Sequence, residues 1–207
     1  MRGLIWLCVN AALTAAVASA AGNARPVGVY LSFESVPTAA SIEIMKRAVE
    51  SLLEPAGVTL AWRLTSENSG DESFAQLAVI RFKGTCRSSA PQPPNLFGSL
   101  GEVSELATTA ASKGHVLPYT DVACDEVRKA LTFVRQGAGL VEREQALGVA
   151  LGRVVAHELY HILANTGAHT SEGIAKAVQL LPDLVSAEEF KFDRRASQAI
   201  QNQLKEK

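Results

Sequence analysis

The sequence predicts an α+β fold in a single domain, with one mixed β-sheet packed against helices. Three segments, 27–33, 58–64 and 76–84, are short, rich in β-branched and aromatic residues and bounded by turn-forming residues, as strands are. Between the first two, residues 41–53 carry apolar side chains at helical spacing and end just before Pro55. The order strand, helix, strand, strand predicts a mixed sheet with a helix packed on it.

The second half of the chain is predicted to add one strand and three helices: 115–122, 124–135, about 142–164 and 186–207. Because proline cannot donate a hydrogen bond to a sheet ladder, Pro118 predicts that this strand lies at a sheet edge. Ser186 and Glu189 form a capping-box pattern and predict the start of the charged C-terminal helix. No internal repeat and no second domain is indicated.

The charge balance excludes two broad classes of partner. The 207 residues include 20 basic and 21 acidic side chains, for a formal net charge of −1. Such a balance gives no electrostatic basis for binding nucleic acid or a membrane surface. We therefore expect neither among the partners of this protein.

Residues 1–20, MRGLIWLCVNAALTAAVASA, have the features of a cleaved signal peptide. Arg2 precedes an apolar run without acidic residues, and the run ends in Ala-Ser-Ala, the small residues that signal peptidase accepts. Asn10 interrupts the run, which is too short for a membrane anchor. We therefore expect a mature domain of residues 21–207, secreted or periplasmic, with no membrane anchor after cleavage.

The two cysteines beyond this leader, Cys86 and Cys124, form an even pair in a chain that we expect to be exported. Because exported proteins meet an oxidising environment, the pair predicts one disulfide. The alternative is two buried free thiols, since free cysteine behaves as a small apolar residue. Neither cysteine has the spacing of a zinc ligand pair, so a cysteine metal site is not indicated.

The stretch HELYHILANTGAH, residues 157–169, contains three of the four histidines of the chain. On a helix with about 100° per residue, His157 and His161 lie one turn apart and side by side, close enough to bind one metal ion. Glu158 flanks the same region, where a base acting on a metal-bound water is expected. The opposite side of the helix carries an apolar stripe that predicts burial: Leu151, Val155, Leu159 and Ile162.

A catalytic zinc site normally has three protein ligands and one position for water, so this helix needs a third ligand from elsewhere. Asn165 and Thr166 are poor helix formers, and Gly167 after them predicts a left-handed turn that ends the helix. The chain could then fold back and bring His169 to the ion. In a continuous helix, His169 would lie about 12 Å from His161 along the axis, too far to share a metal.

Other interpretations of the motif are open. Glu172, followed by Asp183, is the alternative third ligand if His169 is a loop residue beside the site. A helical HExxH motif is also short enough to occur by chance, with its histidines on the surface or in the core.

With these residues in place, HELYH resembles the active-site helix of zincin metallopeptidases, and the turn followed by a third histidine is similar to the metzincin branch. The resemblance implies a zincin-like domain with one Zn²⁺ per chain, held by His157, His161 and His169, and peptide or protein substrates. It implies that Glu158 takes a proton from a zinc-activated water and passes it to the leaving amine. It also makes residues 115–122 the candidate edge strand along which an extended substrate pairs.

The sequence departs from the usual metzincin pattern, HExxHxxGxxH, at three points. The gap from His161 to His169 is eight residues instead of six, and Ala164 occupies the glycine position. The family's methionine turn beneath the metal has no evident counterpart, because the only methionines are Met1 and Met45. A gluzincin-like site, with a downstream glutamate as third ligand, is therefore an alternative.

Two functional hypotheses follow. The first is an exported zinc-dependent endopeptidase, and the second is a non-catalytic exported zinc-binding or interaction protein on the same scaffold. Glu158 separates them, since a module that only binds metal has no need of that carboxylate.

Overall fold

The computed structural model describes residues 25–67, 70–88, 105–132, 138–179, 181–186 and 190–205. The predicted signal peptide, residues 1–20, lies outside these ranges. Within them, no helix is both long enough and apolar enough to span a bilayer.

Five strands form one mixed sheet: β1 (Val27–Ser35), β2 (Leu60–Leu64), β3 (Gln76–Thr85), β4 (Ala107–Ser112) and β5 (His115–Ala123). Their order across the sheet is β2-β1-β3-β5-β4. All neighbours are parallel except β4, which pairs antiparallel with β5. The three strands predicted in the first half of the chain are confirmed.

Five α-helices accompany the sheet in the described ranges: α1 (Ala39–Leu53), α2 (Cys124–Thr132), α3 (Leu140–Leu163), α4 (Leu181–Val185) and α5 (Arg194–Lys205). α1 and α3 pack closely because glycine faces the contact. A Cβ atom added at Gly152 of α3 would lie 2.6 Å from the Ala48 Cβ of α1, and one at Gly148 would lie 2.7 Å from the Ile44 Cβ. The close approach of the two helices therefore depends on these glycines.

The hydrophobic core lies between the sheet and these two helices. The inward-facing side chains of the central strands are at most 2% exposed: Val29, Leu31, Ala78, Ile80, Phe82 and Val122. The predicted apolar stripe of α3 is buried as expected, with exposures of 0–3%: Leu151, Val155, Leu159 and Ile162. Burial of this stripe fixes the orientation of α3, and with it the direction in which the opposite side of the helix faces.

The strand predicted at 115–122 is confirmed, but its predicted place at the sheet edge is wrong. β5 lies between β3 and β4, and β4, which was not predicted, forms the edge on this side of the sheet, opposite β2. Pro118 is tolerated inside the sheet because the β4–β5 register shifts between Thr109 and Ala111, and pairing with β3 starts only at Tyr119. The missing proline N–H thus falls where the ladder is irregular.

The C-terminal helix begins later than predicted. Asp193 caps α5, and its carboxylate accepts a hydrogen bond of 2.7 Å from a backbone N–H in the first turn. Residues 190–193 are not helical, so Ser186 is not the cap; its carbonyl instead accepts a hydrogen bond of 2.8 Å from Arg153. Glu189, the other half of the predicted capping box, lies outside the described residues.

The structure joins the two cysteines by a disulfide, as the sequence predicts. Cys86 follows β3 directly and Cys124 begins α2, with their Cα atoms 4.9 Å apart and both side chains fully buried. The link therefore ties the end of β3 to the start of α2, the helix that follows β5.

Candidate metal centre

α3 places two imidazole nitrogens close together. The Nε2 atoms of His157 and His161 are 3.1 Å apart. Two nitrogens bound at about 2.0–2.1 Å to a tetrahedral zinc would be about 3.3–3.4 Å apart, so this separation suits two ligands of one ion.

α3 ends at Leu163 with Ala164 as its C-cap, and Asn165 follows with a left-handed φ of 47°. The N–H of Thr166 donates to the carbonyl of His161 at 3.1 Å, the long hydrogen bond of a Schellman motif. The predicted end of the helix is confirmed, but the left-handed residue is Asn165 and not Gly167, because asparagine also tolerates this conformation. The Asn165 side chain accepts a hydrogen bond of 3.1 Å from the N–H of Val116, which ties the turn to β5.

The turn brings His169 back to the helix. Its ring centroid lies 5.3 Å from that of His157 and 4.8 Å from that of His161. One nitrogen from each of the three rings lies within 4.8 Å of the others. Among the described residues, neither alternative ligand joins this cluster: Glu172 has no carboxylate oxygen grouped with the three rings, and Asp183 is paired with Lys176.

Backbone carbonyls orient two of the three imidazoles. Nδ1 of His157 lies 2.7 Å from the carbonyl oxygen of Ile174, and Nδ1 of His161 lies 2.8 Å from that of Thr166. A carbonyl oxygen only accepts hydrogen bonds, so each Nδ1 carries a hydrogen and donates it. In a neutral ring, Nε2 then has the free lone pair that a metal ligand needs.

Burial favours the neutral form of two of the histidines, His157 and His169. It lowers the pKa of His157 to about 4, although the hydrogen bond to the Ile174 carbonyl opposes the shift. Burial, and then the neighbouring His161, also lower the pKa of His169. At neutral pH both rings are therefore in the form that binds metal.

Glu158 lies beside the cluster and is only 6% exposed. Its Oε2 atom accepts hydrogen bonds from the hydroxyl of Thr109 and, at 3.3 Å, from that of Thr120. Burial raises the pKa of this carboxyl group, against the opposing effects of the Thr109 hydrogen bond and of His161. A carboxylate whose pKa is shifted towards neutrality in a cleft is a candidate proton acceptor.

A cleft of about 600 Å³ opens over the histidines. It is lined by residues 105–109, which include the start of the edge strand, and by residues 177–179. Leu106, Val154 and Val178 contribute apolar surface, and no lysine or arginine lines it among the described residues. The cleft can therefore accommodate an apolar side chain beside the polar groups of the histidine cluster.

The support beneath the cluster differs from a methionine turn. Met45 lies on α1, within the core, and does not line the cleft. The segment beside His157 is a turn closed by a bridge between Thr170 and Lys176, in which Ile174 is fully buried. Its carbonyl, and not a sulfur atom, contacts the ring of His157.

Sequence comparisons find no match for this chain, whereas structure comparison finds a similar fold. No protein-family model matches it, and no curated protein matches its sequence. Its fold is similar to the crystal structure of archaemetzincin from Methanopyrus kandleri, with a TM-score of 0.50 and 14% sequence identity, over 89% of this chain and 98% of that chain. At this identity the likeness shows the fold alone. The prediction of a single α+β domain with one mixed sheet is thereby confirmed.

Proposed function

We propose that the chain is an exported endopeptidase that uses one Zn²⁺, held by His157, His161 and His169, with Glu158 as general base. The arrangement of the first two rings carries the proposal. Both Nδ1 atoms donate to carbonyls, so in the neutral rings two Nε2 lone pairs face each other across 3.1 Å, an arrangement that a shared cation stabilises. His169 adds the third nitrogen of a catalytic zinc site.

Each side chain has a defined part in peptide hydrolysis. Bound zinc would supply Lewis acidity and lower the pKa of a coordinated water. Glu158 accepts a proton within the cleft and delivers it to the leaving amine, tasks that suit a buried carboxylate with a raised pKa. Similarity to the fold of archaemetzincin supports this assignment, because the motif resembles metzincins independently.

The substrate would bind along β4 and not along residues 115–122, because β4 is the edge strand that lines the cleft, whereas β5 is inside the sheet. On its outer side β4 pairs with no strand among the described residues, so its backbone groups can form hydrogen bonds with an extended peptide, and its first residues line the cleft. An extended peptide or protein segment is therefore the substrate class that suits the site.

Export is proposed from residues 1–20 and agrees with the pairing of Cys86 and Cys124, because disulfides persist in oxidising compartments. The corresponding location is secreted or periplasmic.

The decisive experiment compares the zinc-loaded parent with Glu158→Gln on a diverse peptide library, with cleavage read by mass spectrometry. We expect Glu158→Gln to retain zinc and to lose about 10²–10⁴-fold in turnover, because the general base is removed. Glu142→Gln is the matched control, since Glu142 is an exposed carboxylate in the first turn of α3. Equal turnover in parent and Glu158→Gln refutes the mechanism, whereas a zinc-loaded parent that cleaves nothing supports the non-catalytic alternative.

A further inference from the structure

Two threonines on neighbouring strands contact the carboxylate of Glu158. Thr109 of β4 and Thr120 of β5 are register partners in the antiparallel ladder, so their side chains lie on the same face of the sheet. Both hydroxyls are hydrogen-bonded to the same oxygen, Oε2. Thr120 is 1% exposed and Glu158 is 6% exposed, so their contact is buried, whereas Thr109 is half-buried at the wall of the cleft.

The two threonines differ in how many acceptors compete for the hydrogen of the hydroxyl group. Each hydroxyl has one hydrogen to donate. The Thr120 hydroxyl lies 3.0 Å from the carbonyl oxygen of Thr108 and 3.3 Å from Glu158, so its hydrogen is shared between two acceptors. The Thr109 hydroxyl has Glu158 as its acceptor among the described residues and is therefore the main donor to Oε2.

The second carboxylate oxygen stays available. Oε1 of Glu158 makes no hydrogen bond to the part of the chain that the structure describes, and Glu158 lines the cleft. Hydrogen bonds at Oε2 alone fix the rotation of the carboxylate group and leave Oε1 as the atom that can accept a proton.

We propose that Thr109 and Thr120 are positioning residues that hold Glu158 with Oε1 as its proton-accepting atom. Thr109 belongs to the edge strand β4. A peptide paired along β4 and the carboxylate of Glu158 are therefore both positioned by the backbone of the same strand. The threonines thereby fix the position of the Glu158 carboxylate relative to the scissile bond. This proposal rests on the proposed function.

Substitutions at Thr109 test the role of its hydroxyl. Thr109→Val replaces the hydroxyl by a methyl group and keeps the shape of the side chain. Thr109→Ala removes the hydroxyl and puts no methyl group in its place, and Thr109→Ser keeps the hydroxyl. Thr85→Val is the matched control, because Thr85 is an exposed strand residue of β3 whose hydrogen bonds within the described residues involve only its backbone. For each zinc-loaded variant, kcat, KM, zinc content and melting temperature are measured.

We expect Thr109→Val and Thr109→Ala to lower kcat by about 10- to 100-fold, because a small misplacement of a catalytic group is costly. KM and zinc content should match those of the parent, and Thr109→Ser and Thr85→Val should retain most of its kcat. A parental kcat in both hydroxyl-free variants, or a serine variant as impaired as the valine variant, overturns the proposal.

Crystal structures of the parent and Thr109→Val separate this proposal from the proposed function, because they require no turnover. We expect the Glu158 carboxylate to be rotated or displaced in Thr109→Val, and a carboxylate in its parental position overturns the positioning role. If the parent cleaves no peptide but the carboxylate still moves in the variant, the proposed function fails and the positioning of Glu158 stands.

Discussion

Protonation of His157 should destabilise the metal-free protein on acidification. Its pKa in the folded chain is about 4, because burial disfavours the charged ring, against 6.5 in the absence of the fold. Between these values the unfolded chain binds a proton at this site and the folded chain does not, so the free energy of unfolding rises with pH. A difference of about 2.5 pKa units corresponds to about 3 kcal/mol, present above pH 6.5 and lost as the pH falls to about 4.

Glu158 acts with the opposite sign. Burial raises its pKa in the folded chain, so its contribution to stability is present at low pH and is lost as the pH rises through the folded pKa. The effect of His157 must therefore be measured as the difference in unfolding free energy between the parent and His157→Gln. This variant is suitable because it removes the titrating ring and keeps Glu158.

Urea unfolding in the presence of EDTA, at pH values from 4 to 7.5 and followed by circular dichroism, gives the required free energies. The difference in unfolding free energy between parent and His157→Gln should change by about 3 kcal/mol in favour of the parent from pH 4 to pH 7. A difference that does not vary with pH would refute the neutral, buried state of His157.

Two further predictions concern the scaffold. Gly152→Ala should lower the free energy of unfolding by about 1–3 kcal/mol, because the new Cβ would lie 2.6 Å from that of Ala48. The control Gly167→Ala, whose new Cβ would have no atom within 4 Å, should change it by less than about 0.5 kcal/mol. Equal effects in urea unfolding would contradict the close packing of α1 and α3. Mass spectrometry of the unreduced protein without its leader should find no alkylatable thiol, and joint replacement of Cys86 and Cys124 by serine should cost about 2–4 kcal/mol; two alkylatable thiols would show that the disulfide is absent.

The helix that carries His157 and His161 was predictable because its determinants are local. A spacing of four residues places His157 and His161 side by side on any α-helix, and the apolar stripe opposite them predicts burial. The poor helix formers that follow predicted the break that brings His169 back. Only the residue that adopts the left-handed conformation was misassigned, because Asn165 and Gly167 both tolerate it and their tertiary contacts decide between them.

The edge of the sheet was not predictable, because it depends on pairing between distant segments. β4 has the sequence ATTAAS, with three alanines and no alternation of apolar and polar residues, and only its pairing with β5 makes it a strand. The local rule for Pro118 then placed the edge at β5, since the irregular register that tolerates the proline is not visible in the sequence. Without β4, the contacts of Thr109 and Thr120 with Glu158 could not be inferred.

The central claim is that three histidines bind one zinc ion, and the most direct test is the zinc content of the purified protein beside a His169→Ala variant. His115→Ala is the matched control, because His115 is exposed and does not line the cleft. We expect close to one zinc per chain in the parent and in His115→Ala, and a marked loss in His169→Ala. No zinc in the parent after incubation with excess metal, or equal zinc in His169→Ala, would contradict the three-histidine site.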